Sequence, residues 1–361
     1  EEEAAKKAAE EAAAAAKKII DNETEMGYSL HPDYGELFTL SGQNSSEIML
    51  AMPFKDGFAT TFFPRAQGSR TRSAWSLAVP NQSLIDSYEA TDGKPIDESN
   101  VYNTTHPFEN RDPRMDASII LPGTIWAGHI FESHPDSMIL RNSEGEAIGA
   151  NQNNRNIKWP AAFCGYLWKK YTDEEYQLQH QIWSDHDFIL IRYAEVLLTY
   201  AESKIELNQI DNSVLEAINR IRARAYGAGV SNIASYPAIT SVDQAELRKV
   251  IRRERKVELA NEGFRLFDIR RWRIAEKVMP VTIYGQILDP STATGVPEID
   301  DDCFVSYEGI EDQYDLNLDN RFPNALNRTF NPARDYLCPI PQQEIDTYNG
   351  YGVTLEQNPG Y

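Results

Sequence analysis

The stretch IRRERKVELANEGFRLFDIRRW at 251–272 holds seven Lys or Arg and four Asp or Glu among its 22 residues. Such a run could bind nucleic acid, carry acid–base chemistry, or tie helices together. Leu247, Ile251, Glu254 and Glu258 recur at spacings of four, three and four, which sets both carboxylates on the apolar stripe of a helix. Carboxylates that face inward are costly unless paired. Arg222, Arg224, Arg265, Arg270 and Arg271 offer bidentate partners. The same guanidinium groups would depress the carboxyl pKa values and spoil a general acid. We therefore read Glu254 and Glu258 as members of a salt-bridge network rather than as a catalytic pair. A formal net charge of -20 gives the chain no overall attraction to phosphate backbones or anionic lipid, so nucleic acid is not an expected partner.

The helix that carries these carboxylates opens at Asp243, a candidate N-cap with Glu246 three residues on, and ends near Gly263. Before it, Tyr193, Val196, Leu197, Tyr200, Ala201 and Lys204 define one face of an amphipathic helix. A further helix is predicted over Ser213 to Arg224, with Leu215, Ile218 and Ile221 inward and GAG at 227–229 as its stop. The two form a helical hairpin. Residues 80–186 are rich in Asn, Pro, Gly and aromatics with no sustained helical period, as expected of an irregular, loop-rich region that holds ligand residues on a rigid frame. Residues 21–79 read as short helices and extended segments, and 276–361 as an irregular C-terminal segment. Residues 1–20 begin EEEAAKKAAEEAAAAAKK, a strong helix former. Its low complexity suggests an engineered or replacement helix, and the alternative is an Ala-rich packing helix in which Ala12 to Ala16 admit a close neighbour.

With 361 residues and 41% hydrophobic content, the chain can bury a sizeable core. Cys164, Cys303 and Cys338 are too widely spaced for a CxxC metal pair, and any disulfide would leave one thiol over. His129 and His134, like His180 and His186, lack a single-face ligand spacing. No apolar run approaches the roughly 20 residues that span a bilayer. No GxSxG, HExxH or phosphate-loop pattern is present.

RYAEVLLTYAES at 192–203, INRIRARA at 218–225, the 251–272 stretch, YLCPIPQQEI at 336–345 and the terminal QNPGY resemble the SusD/RagB family. LIDSYEATDGKPI at 84–96 and FENRDPRMDASIILPG at 108–123 resemble it in the same order. The resemblance implies a mainly α fold, with tetratricopeptide-like helical pairs and a large irregular region packed on them. It implies not an enzyme but a surface lipoprotein of the Gram-negative outer membrane that captures oligosaccharides and passes them to a SusC-like TonB-dependent transporter. Relatives that bind peptides, or that act as a transporter lid with little affinity of their own, are the alternatives. Family members carry a longer N-terminal part with the lipid anchor and the first helical pairs, so this chain reads as a C-terminal portion or an N-terminally trimmed form. Membrane attachment would then depend on a lipid absent from it.

For a sugar ligand, aromatic rings on loops should stack on C–H faces while neighbouring polar groups bind hydroxyls. FFPRAQGSRTRSAWS at 62–76 fits this best, with Trp75 to stack and Arg65, Arg70 and Arg72 to reach hydroxyl or acidic groups. Trp126 in PGTIWAGH and Trp159 in NIKWP are further candidates, whereas Trp272 is expected to be buried. RDPR at 111–114 could clamp an anionic sugar, but is read as a turn fixed by Asp112 and Pro113. No cofactor is implied. EIDDDC at 298–303 and EDQYDLNLDN at 311–320 offer oxygen ligands for calcium but lack EF-hand spacing, and are read as solvated acidic loops.

Overall fold

In the computed structural model, residues 2–155, 164–181, 183–315 and 328–361 are described. The chain divides into two compact units, one of residues 1–263 with 284–317 and the other of 264–283 with 318–361.

The first unit is helical in its frame. Helix α1 (Glu2–Asp21) is mostly exposed, but Ala13 and Ala16, three residues apart, are buried. It packs against the long helix at 193–206, and its small side chains permit that close approach. A short α2 (Glu23–Met26) follows, then strand β1 (Ile48–Met52), α3 (Phe63–Gln67), α4 (Gln82–Ser87) and α5 (Pro113–Ser118). The loop-rich region contains more strand than its sequence suggests. Strands β2 (Ile119–Ile120) and β7 (Leu167–Trp168) pair with each other, and β3 (Ile125–Trp126), β4 (His129–Ile130), β5 (Ile139–Arg141) and β6 (Ala147–Ala150) make an antiparallel sheet in that order. These strands run for two to four residues, too short for an alternating pattern to register.

After α6 (Glu174–Leu178), the scaffold starts with a strand, not a helix: β8 (Phe188–Arg192) pairs with β1. Helix α7 (Tyr193–Glu206) then turns into α8 (Asn212–Ala225), the expected hairpin. Asp211 caps α8 by accepting from the Ser213 amide at 2.9 Å. On α7, Tyr193, Val196, Leu197, Tyr200 and Ala201 of the predicted face are buried and Lys204 is half-buried, but Ala194, Leu198 and Ile205 are buried too, because α1, α8 and α9 (Gln244–Glu258) all pack on it. On α8, Val214 is buried in place of Leu215, which is half-buried, while Ile218 and Ile221 are buried as expected. Helix α9 begins at Asp243, whose carboxylate accepts from the Glu246 amide at 2.9 Å. Glu246 itself takes the Ser241 hydroxyl.

Leu247, Ile251, Glu254 and Glu258 all lie at or below 1% exposure, so the carboxylates do face inward. Arg114 reaches Glu254 at 2.8 Å and Glu258 at 3.1 Å, and also pairs with Asp112 at 2.6 Å. Arg222 joins Glu254 to Glu89, which Arg253 meets from α9. Arg192 holds Glu47, Glu258 and Glu262 at 2.6–2.7 Å, Arg224 holds Glu47 and Glu258, and Lys170 pairs with Glu262. Among the described residues, six cations thus meet six carboxylates, equal in number. Burial alone would raise the Glu258 carboxyl, but Arg224, Arg192 and Arg114 outweigh it and hold it well below the usual carboxylate range. Of the five arginines expected around these carboxylates, Arg222 and Arg224 are in the network. Arg270 instead donates to the Asp335 carbonyl, and Arg271 pairs with Asp268. In RDPR, Asp112 caps α5 through the Arg114 amide, and Arg111 donates to the carbonyls of Pro107, Ile85 and Tyr88. Both arginines are therefore occupied in holding the frame.

Asp86 on α4 is 1% exposed and accepts from Gln82 at 2.9 Å and the Tyr307 hydroxyl at 2.8 Å. Burial pushes its pKa up to about 6, against the pull of Arg111. Because the folded value lies above the unfolded one, the native state binds the extra proton, and stability falls as pH rises through the window between about 4 and 6. Asp86→Asn keeps a hydrogen-bonding amide and removes the buried charge. It is expected to raise unfolding free energy near pH 7.5 by on the order of 1–3 kcal/mol, with little gain near pH 4. Urea titrations of both proteins at the two pH values check this, and an equal effect at both would contradict it.

Residues 284–315 complete the first unit. Strands β9 (Glu298–Ile299) and β10 (Val305–Ser306) form a hairpin, and Ile287, Ile299, Val305, Tyr307 and Tyr314 cluster with Ile96. In EIDDDC, Asp300 accepts from the Asp302 and Phe304 amides, Asp301 pairs with Lys249, and Asp302 with Arg252. The 316–320 part of the second acidic stretch lies outside the described residues. The three cysteines are free thiols, Cys164 and Cys303 buried and Cys338 exposed.

The second unit carries α10 (Arg265–Arg271), α11 (Ala275–Val278) and α12 (Gln342–Gly350). Its core is Ile269, Ile274 and Ala275, with Phe330 and Tyr336 against them. Trp272 is half-buried rather than buried: it follows a helix of seven residues and lies with the Arg271 guanidinium 4.9 Å from its ring centre.

Candidate functional site

The segment 62–76 doubles back on itself. After α3, a single turn at Arg70–Arg72 leads into Ser73 and Ser76, both with positive φ, at 68° and 51°, a conformation that non-glycine residues seldom adopt. Hydrogen bonds from the Trp75 amide to the Arg65 carbonyl at 2.7 Å, and from Leu77 to Ala66 at 2.6 Å, lock the return. Gly68 is required here, since a Cβ would lie 2.4 Å from the Gln177 amide nitrogen, and Gln177 ties the segment down by accepting from the Ser69 amide and donating to the Pro64 carbonyl.

The result is an aromatic surface. The Arg65 guanidinium sits 4.0 Å from the Trp75 ring centre. Phe62 meets Trp75 edge-on at 5.2 Å and Trp183 at 5.0 Å. Trp183 is brought there by a bridge between Thr61 and Ser184, whose backbones exchange hydrogen bonds of 2.6 and 3.2 Å. Trp75 is 38% and Trp183 45% exposed. A partly exposed indole with one face on a guanidinium suits a ligand with apolar C–H faces, and the guanidinium adds hydrogen-bond donors.

Of the residues singled out from the sequence, the structure brings Trp75 and Arg65 together. Arg72 is spent on the frame: it donates to the Ala127 carbonyl and lies 3.3 Å from His180 Nε2. The Arg70 amide donates to Asn153, and burial lowers the pKa of its guanidinium. Trp126 requires correction. It is 3% exposed and packs in a core with Ile120, Ala127, Phe131 and Leu167, so no face is open to a ligand. Trp159 lies outside the described residues. Phe62 and Trp183 were missed. The polar loop around QIWSD was the signal for Trp183, since a tryptophan there has no periodic apolar neighbours to bury it.

A second concavity, a cleft of 1190 Å³, lies between the loop at 107–108, the segment 130–141 from β4 to β5 and the segment 286–290. It shares no lining residue with the aromatic surface. His129 and His186, by contrast, are buried against backbone carbonyls, and burial lowers the pKa of each. Among the described residues no group of His, Cys, Asp and Glu is arranged to hold a metal ion, and no helix is long and apolar enough to cross a membrane.

The sequence profile of the SusD family matches residues 46–361, and the chain belongs to that family. It is 24% identical over 360 residues to SusD-like protein P2 of Formosa agariphila, covering 95% of this chain and 54% of that protein. SusD-like protein P38 of the same organism is 36% identical over 96 residues, 26% of this chain and 19% of P38. A solved SusD-like carbohydrate-binding protein from Bacteroides fragilis superposes with a TM-score of 0.70 at 30% identity, over 92% of this chain and 59% of that one. Another SusD-like structure from the same species gives 0.59 at 24% identity, over 93% and 59%. The chain thus spans somewhat over half the length of P2 and of the two solved relatives.

Proposed function

We propose that this protein captures oligosaccharides at the cell surface of a Gram-negative bacterium, through the surface formed by Trp75, Trp183, Phe62 and Arg65, and passes them to a SusC-like TonB-dependent transporter. The observation that carries the reading is the pair of half-exposed indoles set about one phenyl ring, with a guanidinium beside them. Binding rather than catalysis is supported by Glu258, a buried carboxylate held by three guanidinium groups well below the usual carboxylate range and so a poor proton donor at neutral pH. The B. fragilis relative described as carbohydrate-binding supports the ligand class. Outer-membrane location and lipid anchoring rest on the same family reading. A glycan array tests the ligand class: retention of at least one oligosaccharide, competed by the same sugar in solution, is expected, and an array without competed binding would contradict it. Co-purification with the neighbouring transporter tests the handover.

A further inference from the structure

We propose that the cleft between residues 107–108, 130–141 and 286–290 is a second binding site, independent of the aromatic surface, for a ligand that joins an apolar body to a protonated amine. Its walls are alkyl and ring surface: Phe108, Pro122, Ile130, Met138, Ile139 and Leu288 line it, and Met138 and Ile139 are 53% and 52% exposed. A volume of 1190 Å³ is ample for a small ligand or a short peptide segment.

The polar floor is turned toward the protein. The Tyr166 hydroxyl donates to Gln82, which donates on to Asp86, and Gln286 accepts from Ser133. At the rim, Asp289 accepts from the Ser291 amide and hydroxyl, and Arg141 donates to the Gly145 carbonyl. Asp136 lies beside His134 at 3.8 Å and is exposed. Glu132 is different. It is half-buried among these apolar groups, and among the described residues no Lys or Arg pairs with it. Burial pushes its pKa up, and the Gly123 amide only partly offsets this.

A carboxylate in that setting gains most from a donor that brings its own positive charge, because a charge-assisted hydrogen bond is stronger than a neutral one. Among the described residues lining the cleft there are three acidic groups, Glu132, Asp136 and Asp289, against one arginine and His134, a balance that disfavours a carboxylate or phosphate ligand. A sugar would match the acids with its hydroxyls but would set polar edges against the isoleucine and proline walls. A lysine side chain or a peptide amino terminus next to an apolar residue satisfies both.

Calorimetric titration with 4-phenylbutylamine and 4-phenylbutanol separates the charge from the apolar body, and glucosamine separates the body from the charge. The amine is expected to bind roughly 10-fold or more tightly than the alcohol, and glucosamine more weakly than either. Glu132→Gln should bring the amine to the level of the alcohol and leave the alcohol unchanged. An acetylated Phe-Lys amide and a free Phe-Phe amide then distinguish the side-chain amine from the amino terminus, and the one that binds identifies the source. Equal binding of amine and alcohol to the parent overturns the proposal without any variant. Glucosamine binding as tightly as the amine, no binding by either dipeptide, or a Glu132→Gln protein that keeps the preference would also overturn it. Glycan binding at Trp75 is expected to persist in Glu132→Gln, so failure of one site is distinguishable from failure of the other.

Discussion

Replacing Glu258 with glutamine is expected to lower the unfolding free energy by about 3–5 kcal/mol, as breaking one member of a fully buried ion network typically does. Glu258 has 0% exposure and is shared by Arg114, Arg192 and Arg224. Glutamine fits the space but leaves three guanidinium groups with one negative charge fewer. The Glu258 carboxyl is held below its unfolded pKa, so the stabilisation is present above about pH 4 and is lost as pH falls toward the folded value. The glutamine variant should therefore lose more stability relative to the parent at neutral pH than in acid. Denaturant titrations at both pH values check this. Unchanged stability with lost ligand binding would instead make Glu258 part of the ligand site.

Trp126→Ala is expected to cost a similar amount, about 3–5 kcal/mol, through the cavity it leaves among Ile120, Phe131 and Leu167. Trp126→Phe should cost less. The indole Nε1 has no hydrogen-bond partner among the described residues, so phenylalanine gives up packing volume but no bond. Folded Trp126→Phe protein should keep parent glycan affinity. If Trp126→Ala were as stable as the parent, the burial described for this residue would be wrong in solution.

Trp126 also marks where the sequence misleads. The glycine and proline around it in PGTIWAGH signal turns, and turns place a residue at a bend without saying which way its side chain points. Here the tight β3–β4 hairpin turns the indole into the core. The stripe on α9 was readable because helical spacing is local, and Glu254 and Glu258 follow it. Their partners were only half readable: Arg222 and Arg224 stood out as nearby arginines, whereas Arg114, in the first turn of α5, and Arg192, at the end of β8, lie far away in the chain. The aromatic surface divides in the same way. Arg65 and Trp75 share one folded-back segment, so their meeting could be read from a short stretch. Trp183 arrives through the Thr61–Ser184 bridge, more than a hundred residues along, which no local pattern encodes. The four-stranded sheet beside the cleft escaped for a different reason, since strands of two to four residues leave no periodicity to find.

The glycan-capture reading rests on Trp75 and Trp183, and calorimetric titration of the tightest array ligand into parent, Trp75→Ala and Trp183→Ala proteins tests it most directly. Both positions are partly exposed, so each variant should keep the parent circular dichroism spectrum. Each is predicted to bind roughly 10- to 100-fold more weakly, the loss expected when an aromatic anchor is removed from a small interface. Parent affinity in both variants would contradict the account and place the sugar elsewhere on the protein.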